Sequence, residues 1–426
     1  VLKTILNFDE EGGFLRLTEK CNGSGDCRKT HLSGGTMCPS YMASKDEKDT
    51  TRARANVLRE FLTQNDTELE KWTSEEIMEA LDLCLSCKAC KSECPSNVDM
   101  ASLKAEFLYQ YQERKGTSLR TKMFGHVQQL NAFASIFPSL SNTINSSAIG
   151  KKVLGIAEER TPPKLAKETL KKWFLKRAKK GEGKLKSVYF FADEFTNYYD
   201  VEAGQATVLL LEDLGYEVKL APLSDSGRAF ISKGMLKQAK QLANKNVQAL
   251  IPLVSEDTPI VGVEPSAILS FRDEYIRLVD NKEFKNSCIV KHSYTIEEFL
   301  ASEFEKGFID PALFTTSHKQ VVLHGHCHQK AISEVSCSST ILSIPRNYHV
   351  ETLATGCCGM AGSFGYEKEH YQISMDIGEL VLFPSVRKCA PETVVSAPGT
   401  SCRHQIFDGT KRKALHPVQV LYEALL

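Results

Sequence analysis

Four cysteines lie within eleven residues, and the last of them precedes a proline: Cys84, Cys87, Cys90, Cys94 and then Pro95. The spacing C-x2-C-x2-C-x3-C-P is that of iron–sulfur ligands, in which three thiolates bind one cluster and the fourth binds another. Zinc is the alternative because C-x2-C pairs also bind zinc, but a four-cysteine run ending in proline fits zinc poorly. The run therefore predicts a cluster whose fourth ligand comes from elsewhere in the chain.

A second cysteine–proline pair, Cys38-Pro39, meets that requirement, and Cys21 and Cys27 precede it. Because the fourth thiolate of each run ligates the cluster of the other run, the two motifs are expected to fold against each other.

Another group of thiols lies near the other end of the chain. Its members are Cys327, Cys357, Cys358 and Cys402. Each stands at or just beyond the carboxyl end of a predicted strand, and ligands of open α/β sheets bind at that edge. The group predicts a metal or iron–sulfur site, since adjacent cysteines are unusual as core packing.

Histidines flank these thiols. His324, His326 and His328 alternate around Cys327, and His404 follows Cys402 by two positions. Each could be a ligand, a hydrogen-bond donor to sulfur or a proton carrier. We single out His326, His328 and His404 as candidates for these roles.

The composition excludes several classes of protein. The 53 basic and 53 acidic residues balance, which gives no general attraction to nucleic acid. Fourteen cysteines without a recognisable signal peptide favour a reducing compartment, and we expect a cytoplasmic location. The apolar runs are too short and too interrupted by charge to span a membrane. Because the chain begins at Val1, we expect it to be the downstream part of a longer polypeptide.

A basic segment with two aromatic residues, Lys171 to Lys180, could lie on a membrane surface, which would make the protein peripheral at the inner face. A solvated linker helix with one apolar anchor is the favoured interpretation, because such charge runs are usually exposed.

The pattern along the chain predicts an α+β multidomain protein. It predicts a helical region over 1–150, a linker over 151–186, an α/β unit over 187–280, a connector over 281–320 and a second α/β unit over 321–426. The two units repeat at an offset of about 133 residues, with predicted strands in the first at 188–191, 216–220, 249–254 and 260–263. The positions of the first unit that match the thiols of the second are Ala192, Asp225, Ser226 and Ala267, so the first unit cannot hold a thiolate-bound cluster.

With these motifs placed, the chain resembles the C-terminal iron–sulfur half of FAD-linked 2-hydroxyacid oxidoreductases. The resemblance rests on C-x-G-x-G-x-C-R at 21–28, GTMCPSY at 35–41, TRARAN at 51–56, the run at 84–95, HGHCHQK at 324–330, GCCGMAGSFG at 356–365 and GTSCRH at 399–404. It implies an alpha-helical ferredoxin domain followed by two pseudo-symmetric α/β repeats of the cysteine-rich CCG type. That type is shared with heterodisulfide reductase and with the iron–sulfur subunit of glycolate oxidase.

The resemblance also implies a function. A flavin domain, fused upstream or present as a separate subunit, would oxidise D-lactate, glycolate or D-2-hydroxyglutarate. This chain would pass the electrons to a carrier or to quinone. The alternative is a thiol–disulfide redox enzyme like heterodisulfide reductase acting at the CCG site, and a third interpretation makes that site structural zinc.

Resemblance and spacing together imply two ligand sets in the ferredoxin region. The first is Cys84, Cys87, Cys90 and Cys38, which predicts a [4Fe–4S] cluster. The second is Cys21, Cys27 and Cys94, with Ser24 at the position where the glycolate oxidase motif has another cysteine. This second site is expected to hold a [3Fe–4S] centre or a [4Fe–4S] cluster with one non-cysteine ligand.

Overall fold

The computed structural model describes residues 2–64, 67–177 and 185–426. Helices dominate the first 177 residues: α1 (Phe14–Glu19), α2 (Pro39–Ser44), α3 (Thr51–Thr63), α4 (Glu68–Trp72), α5 (Glu75–Asp82), α6 (Ala89–Glu93), α7 (Met100–Lys115), α8 (Leu119–Gly125), α9 (Val127–Ala134), α10 (Pro138–Ser146), α11 (Ala148–Leu154) and α12 (Leu170–Lys176).

Strands and helices alternate afterwards: β1 (Ser187–Phe191), α13 (Val201–Asp213), β2 (Glu217–Leu220), α14 (Arg228–Ser232), α15 (Leu236–Leu250), β3 (Ile260–Gly262), α16 (Pro265–Ile268), α17 (Glu274–Leu278), α18 (Cys288–Lys291), β4 (Ser293–Thr295), α19 (Ile296–Glu305), β5 (Lys319–Leu323), α20 (Cys327–Ile332), α21 (Ser336–Leu342), β6 (Tyr348–Thr352), α22 (Tyr371–Leu380), α23 (Leu382–Lys388), β7 (Val394–Ser396), α24 (Thr400–Thr410), β8 (Ala414–Leu415) and α25 (Pro417–Tyr422).

Local signals define the helices that carry the first cysteines. The Thr50 side chain caps α3 by accepting a hydrogen bond from the Ala53 backbone N–H. The Asp99 side chain caps α7 by accepting one from the Ser102 backbone N–H. Helix α7 ends at Gly116, as its sequence predicts. These helices enclose a core around the fully buried Trp72, so the cysteine loops rest on a packed scaffold.

Two four-stranded parallel sheets make up the α/β part, and both have the same order. The first runs β2-β1-β3-β4 and the second β6-β5-β7-β8. In the first, Tyr189 pairs with Lys219 on one side and Ile260 on the other; in the second, Val321 pairs with Val350 and Val394. Strands β1 and β5 are therefore inner strands, and the carboxyl end of each lies in the interior of the carboxyl edge of its sheet.

Three sequence predictions differ from the structure. Residues 249–254 are not a strand: α15 ends at Leu250, and the rest of the run is the turn that follows, with Ile251 exposed and Pro252 unable to continue the helix. The segment 281–320 does more than connect, because it supplies β4, the outer strand of the first sheet. The linker 151–186 is anchored at Arg160, a fully buried residue that donates hydrogen bonds to the Gly365 carbonyl and the Gln405 side chain.

Helix α12 carries part of the basic segment singled out in the sequence. Leu170 and Phe174 are buried, and the Arg177 guanidinium lies over the Phe174 ring at 4.4 Å. The segment thus packs as an anchored helix where it is described, whereas residues 178–184 lie outside the described residues. Throughout the described ranges, every helix is too short or too polar to cross a lipid bilayer.

Candidate iron–sulfur and thiol site

The loops that carry the first cysteines have unusual backbone geometry. Cys38, Ser86 and Lys88 all adopt left-handed conformations, with φ of 57°, 50° and 64°. Non-glycine residues rarely hold this conformation, and it is concentrated at functional sites. Cys38 directly precedes α2, whose first residue is Pro39, and Ser86 and Lys88 flank Cys87. The tight curvature keeps Cys38, Cys87 and Cys90 buried in this loop region.

Cys38 lies between the two predicted ligand sets. Its thiol donates a hydrogen bond to the Cys27 sulfur, which lowers the pKa of Cys27 to about 6 and raises that of Cys38. The Thr51 backbone N–H donates to the Cys38 sulfur at 3.0 Å, and the Thr51 hydroxyl lies 3.0 Å from it. The buried Arg54 guanidinium lowers the pKa of Cys38, because its positive charge favours the thiolate.

Glu93 connects the two cysteine motifs. Its carboxylate accepts hydrogen bonds from the backbone N–H groups of Thr36, at 2.7 Å, and Met37, at 3.2 Å, and it pairs with Lys29. Gly35 has φ of 79°, and a Cβ atom there would overlap the Lys29–Glu93 ion pair. The residue next to Cys94 thereby holds the loop that leads to Cys38.

Cys87 and Cys90 are buried. Burial, reinforced by nearby acidic groups, raises the pKa of Cys90 to about 12. Burial and the charges of Cys327 and Cys90 raise the pKa of Cys87. Thiols in such a place ionise only when a cation replaces their protons, as a bound metal centre does. A set of sulfur donors is also the set that iron–sulfur clusters take.

The second group of thiols converges at the carboxyl edge of the second sheet, as its sequence positions predict. Cys327 begins α20 and Cys402 lies in the first turn of α24. A ring nitrogen of His324 and the sulfur atoms of Cys358 and Cys402 all lie within 4.8 Å of one another. The His324 Nδ1 atom is 2.6 Å from the Thr355 hydroxyl, and its Nε2 atom is buried without a hydrogen-bond partner among the described residues.

Protons are shared unequally within this group. A hydrogen bond from the Cys357 thiol lowers the pKa of Cys327 to about 6. Hydrogen bonds from Cys357 and Cys402 also lower the pKa of Cys358, while the pKa values of these two donors are raised. Four sulfur atoms that lower and raise one another's pKa within one buried cluster form a donor set suited to a cation.

Gly359 explains why the paired cysteines are followed by glycine. Its φ is 95°, and a Cβ atom there would overlap the Ser374 carbonyl oxygen on α22. The Gly359 backbone N–H instead donates to the Cys357 sulfur at 3.4 Å. The turn that presents both thiols therefore needs a residue without a side chain.

The two groups of cysteines adjoin each other. The charge of Cys327 acts on Cys87, and His328 Nε2 donates a hydrogen bond of 3.1 Å to the Ser86 carbonyl. Gly356, just before Cys357, packs against the backbone of Gly35. Sequence positions that are some 240 residues apart thus form one continuous thiol-rich region.

The structure places the remaining candidates in different settings. His326 caps α20 by accepting the His328 backbone N–H, and its Nε2 atom is 3.8 Å from a Glu264 carboxylate oxygen of the first α/β unit. His404 lies beyond Cys402, where burial lowers its pKa. Ser24 lies on an exposed loop, and its backbone N–H donates a hydrogen bond to the side-chain oxygen of Asn22. His324, one of the four flanking histidines, joins the thiols more closely than His326, His328 or His404.

Carboxylates replace thiols at the matching edge of the first sheet. Glu194 follows β1 and accepts hydrogen bonds from the Ser226 backbone N–H, at 2.8 Å, and hydroxyl, at 2.6 Å. Burial raises the pKa values of Glu194 and of its neighbour Asp193, the latter to about 7. This edge is closed by its own polar side chains.

The first α/β unit meets the ferredoxin region through ion pairs that sequence reasoning missed. Lys88, between Cys87 and Cys90, is buried and pairs with Asp273 and Glu274, and Lys91 also pairs with Asp273. Arg228 pairs with Glu274 as well. The lysines stand inside the cysteine run, which is the signal that could have drawn attention to them.

Comparison with known proteins agrees with the thiol geometry. Residues 20–99 match the model of the 4Fe-4S dicluster domain. The chain is 26% identical to D-2-hydroxyglutarate dehydrogenase of Escherichia coli (strain K12), over 95% of this chain and 43% of that protein. It therefore spans less than half the length of the D-2-hydroxyglutarate dehydrogenases that it matches. No solved structure matches the chain significantly.

Two further relatives match most of their own length. One subunit of the anaerobic glycerol-3-phosphate dehydrogenase of Escherichia coli (strain K12) is 26% identical, over 78% of this chain and 83% of its own length. The probable glycolate oxidase iron-sulfur subunit of Bacillus subtilis (strain 168) is 23% identical, over 91% of each. The expected resemblance is confirmed: this chain contains a 4Fe-4S dicluster region and is similar to iron–sulfur subunits of oxidoreductases and to part of the D-2-hydroxyglutarate dehydrogenases.

Proposed function

We propose that this chain is the iron–sulfur electron-transfer part of a FAD-linked 2-hydroxyacid dehydrogenase of the D-lactate, glycolate or D-2-hydroxyglutarate type. Its electrons would come from a flavin on another domain or subunit and leave to a carrier or quinone. The single observation that carries the proposal is the junction of the two thiol groups, where His328, next to Cys327, bonds to Ser86, next to Cys87, beside the dicluster region over 20–99. The names of the relatives support the choice of reaction class.

The ferredoxin cysteines fit the proposed cofactors. Cys84, Cys87, Cys90 and Cys38 would hold one [4Fe–4S] cluster, and Cys21, Cys27 and Cys94 the other, with its fourth position unassigned. Bound clusters supply one-electron redox chemistry at potentials set by burial, charge and hydrogen bonds to sulfur. Thr51 donates such a hydrogen bond to Cys38, and Arg54 places a buried positive charge beside it. The second site would hold a [3Fe–4S] centre or a [4Fe–4S] cluster with one non-cysteine ligand, for which Ser24 is the candidate.

For the second thiol group we propose a third cluster or a zinc ion. A cluster would take the thiolates of Cys327, Cys357, Cys358 and Cys402, whereas a four-coordinate zinc ion would take three of these thiolates with His324 as the nitrogen donor. Its buried, unpartnered Nε2 atom supports this assignment. In a tetrahedral zinc site with bonds of about 2.3 Å, sulfur atoms lie about 3.8 Å apart, and the sulfur atoms of Cys358 and Cys402 lie within 4.8 Å of each other and of a His324 ring nitrogen.

For the domain organisation we propose an alpha-helical ferredoxin domain over 1–150, a linker over 151–186 and two CCG-type repeats. The shared strand order of the two sheets supports the repeats. The first repeat extends through β4 in this proposal. Its role is to dock the ferredoxin domain, since Asp273 and Glu274 neutralise the buried Lys88. A cytoplasmic location is proposed on the cysteine content alone.

Metal content separates the possibilities. Iron near eight per chain supports two cubanes, near twelve adds a cluster at the second thiol group, and one zinc identifies that group as a zinc site. Cys402→Ser should lower only the metal of the second group, whereas Cys389→Ser, whose thiol donates to the Ser385 carbonyl, should leave all metal in place. Equal losses in both variants would contradict the ligand assignment.

Electron transfer is tested by adding a flavin-containing partner and a D-2-hydroxy acid. The visible absorption of the clusters should bleach only when enzyme, partner and substrate are all present. Dithionite reduction of the same sample is the control for intact clusters. Clusters that dithionite bleaches, but no partner flavin reduces, would contradict the proposed function.

A further inference from the structure

Helices α9, α10 and α11 expose apolar side chains to solvent. Phe133, Phe137 and Ile149 are 79%, 69% and 78% exposed, and α10 and α11 bury none of their residues. We refer to the exposed set as the apolar ridge. Its members are Leu130, Phe133, Ile136, Phe137, Leu140, Ile144, Ile149 and Val153. Scattered exposed apolar residues are ordinary, but so many in 24 consecutive residues mark an interaction surface.

The amphipathic character of these helices is inverted. In α9 the buried residue is Asn131, whose side-chain oxygen accepts a hydrogen bond of 2.7 Å from the Tyr199 hydroxyl. In α10 the Asn142 side chain donates to the Leu165 carbonyl at 2.9 Å and accepts from the Leu165 N–H at 2.8 Å. A helix on a protein core normally turns its apolar face inward. Here polar bonds fix the inner face, so the apolar ridge is held outward.

Charge distinguishes this segment from the rest of the chain. Residues 116–157 contain no aspartate or glutamate, although about five would be expected from the average acidic content of the chain. The same stretch contains four lysine and arginine residues, of which Lys122 and Lys152 are exposed. Arg120 pairs with Glu369, whereas the exposed Lys122 and Lys152 flank the apolar side chains in the sequence and match the charge of an anionic lipid surface.

We propose that the apolar ridge is a monotopic membrane-binding surface that inserts shallowly into anionic lipid. The aromatic and aliphatic side chains would enter the boundary between headgroups and acyl chains. Lys122 and Lys152 would meet lipid phosphates, as cations beside inserted apolar residues do. The helices would lie in the plane of the interface, which agrees with their lengths of seven to nine residues.

Vesicle binding by the metal-loaded chain tests this proposal. Co-sedimentation should be strong with vesicles containing about one-third phosphatidylglycerol and weak with pure phosphatidylcholine. Phe133→Gln and Phe137→Gln should each weaken binding roughly tenfold, because each loses one inserted ring. Phe308→Gln is the matched control, since Phe308 is 53% exposed but lies outside the apolar ridge. It should bind like the parent.

Charge reversal and a local probe supply independent readouts. Lys152→Glu should weaken binding to the anionic vesicles and make it less dependent on salt. Phe137→Trp should show a blue-shifted fluorescence emission when anionic vesicles are added. Absence of binding to either vesicle type, or binding unchanged in the phenylalanine variants, would overturn the proposal. If Phe137→Gln instead weakens association with a flavin-containing partner or with a second copy, the ridge is a protein interface and the membrane assignment is wrong.

Discussion

The Nε2–H group of His328 donates a hydrogen bond of 3.1 Å to the backbone carbonyl of Ser86. His328 follows Cys327, and Ser86 precedes Cys87, so this bond joins the two groups of cysteines. Ser86 has a left-handed backbone, which leaves its carbonyl turned toward the second sheet region. The bond therefore fixes how the ferredoxin loop meets the second α/β unit.

Replacing His328 should measure what this bond contributes. His328→Phe keeps a ring but removes the donor, and we expect the free energy of unfolding to fall by about 1 kcal/mol or somewhat more. His328→Gln retains a donor and should lose less. Chemical denaturation of the metal-loaded chain provides the measurement. Equal losses in the two variants would show that ring packing, rather than the hydrogen bond, makes the contribution.

The buried ion pairs of Lys88 give a larger prediction. Asp273→Asn removes the carboxylate that faces both Lys88 and Lys91, and the loss of one partner from a buried pair costs about 3–5 kcal/mol of stability. Denaturant titration should detect this loss. Asp280→Asn is the control, because Asp280 is exposed and pairs with Lys240 at the surface. An Asp273→Asn variant as stable as this control would contradict the docking role of the network.

A histidine clamp between the ferredoxin region and the second unit gives a pH-dependent prediction. His370 lies 3.0 Å from Asp82 on α5 and 3.1 Å from Glu367. Burial by itself would lower the pKa of His370, but the two carboxylates outweigh it and raise the pKa to about 9. A raised pKa stabilises the folded state fully below the unfolded pKa of about 6.5, and this contribution is lost as the pH rises through about 9.

We therefore expect His370→Gln to lose roughly 1–3 kcal/mol of stability at pH 6 and much less at pH 10. The measurement is the difference in unfolding free energy between parent and variant across that range. His349→Gln, at an exposed position of β6, is the control variant and is measured across the same range. A difference for His370→Gln that does not change with pH would contradict the clamp.

Arg54 should be needed for both stability and cluster retention. Its guanidinium donates to the Ala80 carbonyl at 2.9 Å and the Ser40 hydroxyl at 3.1 Å, and it pairs with the buried Asp49. Arg54→Met should cost about 3–5 kcal/mol, because Asp49 is left buried and unpaired. It should also lower the iron content. Arg59→Met, on the exposed face of the same helix, should change neither quantity.

The sequence by itself determined the chemistry of this protein. The spacing of the cysteine run and its proline specify iron–sulfur ligation, because thiolate geometry around a cluster is local in the chain. The strand that ends before His324 is likewise visible in the apolar pattern, whereas the helix that begins at Cys327 is not predicted by it. The prediction of a strand at 249–254 was wrong, because periodicity cannot distinguish a short apolar stretch in a strand from one at the end of a helix and in the turn that follows.

Tertiary structure alone decided how these parts meet. The hydrogen bond between His328 and Ser86, the ion pairs of Lys88 and the clamp at His370 all join residues that are far apart in the chain. No local spacing encodes such contacts, because they depend on how separately folded units pack. The outward apolar ridge is of the same kind: its residues could have faced a core, and the hydrogen bonds of Asn131 and Asn142 turn them toward solvent.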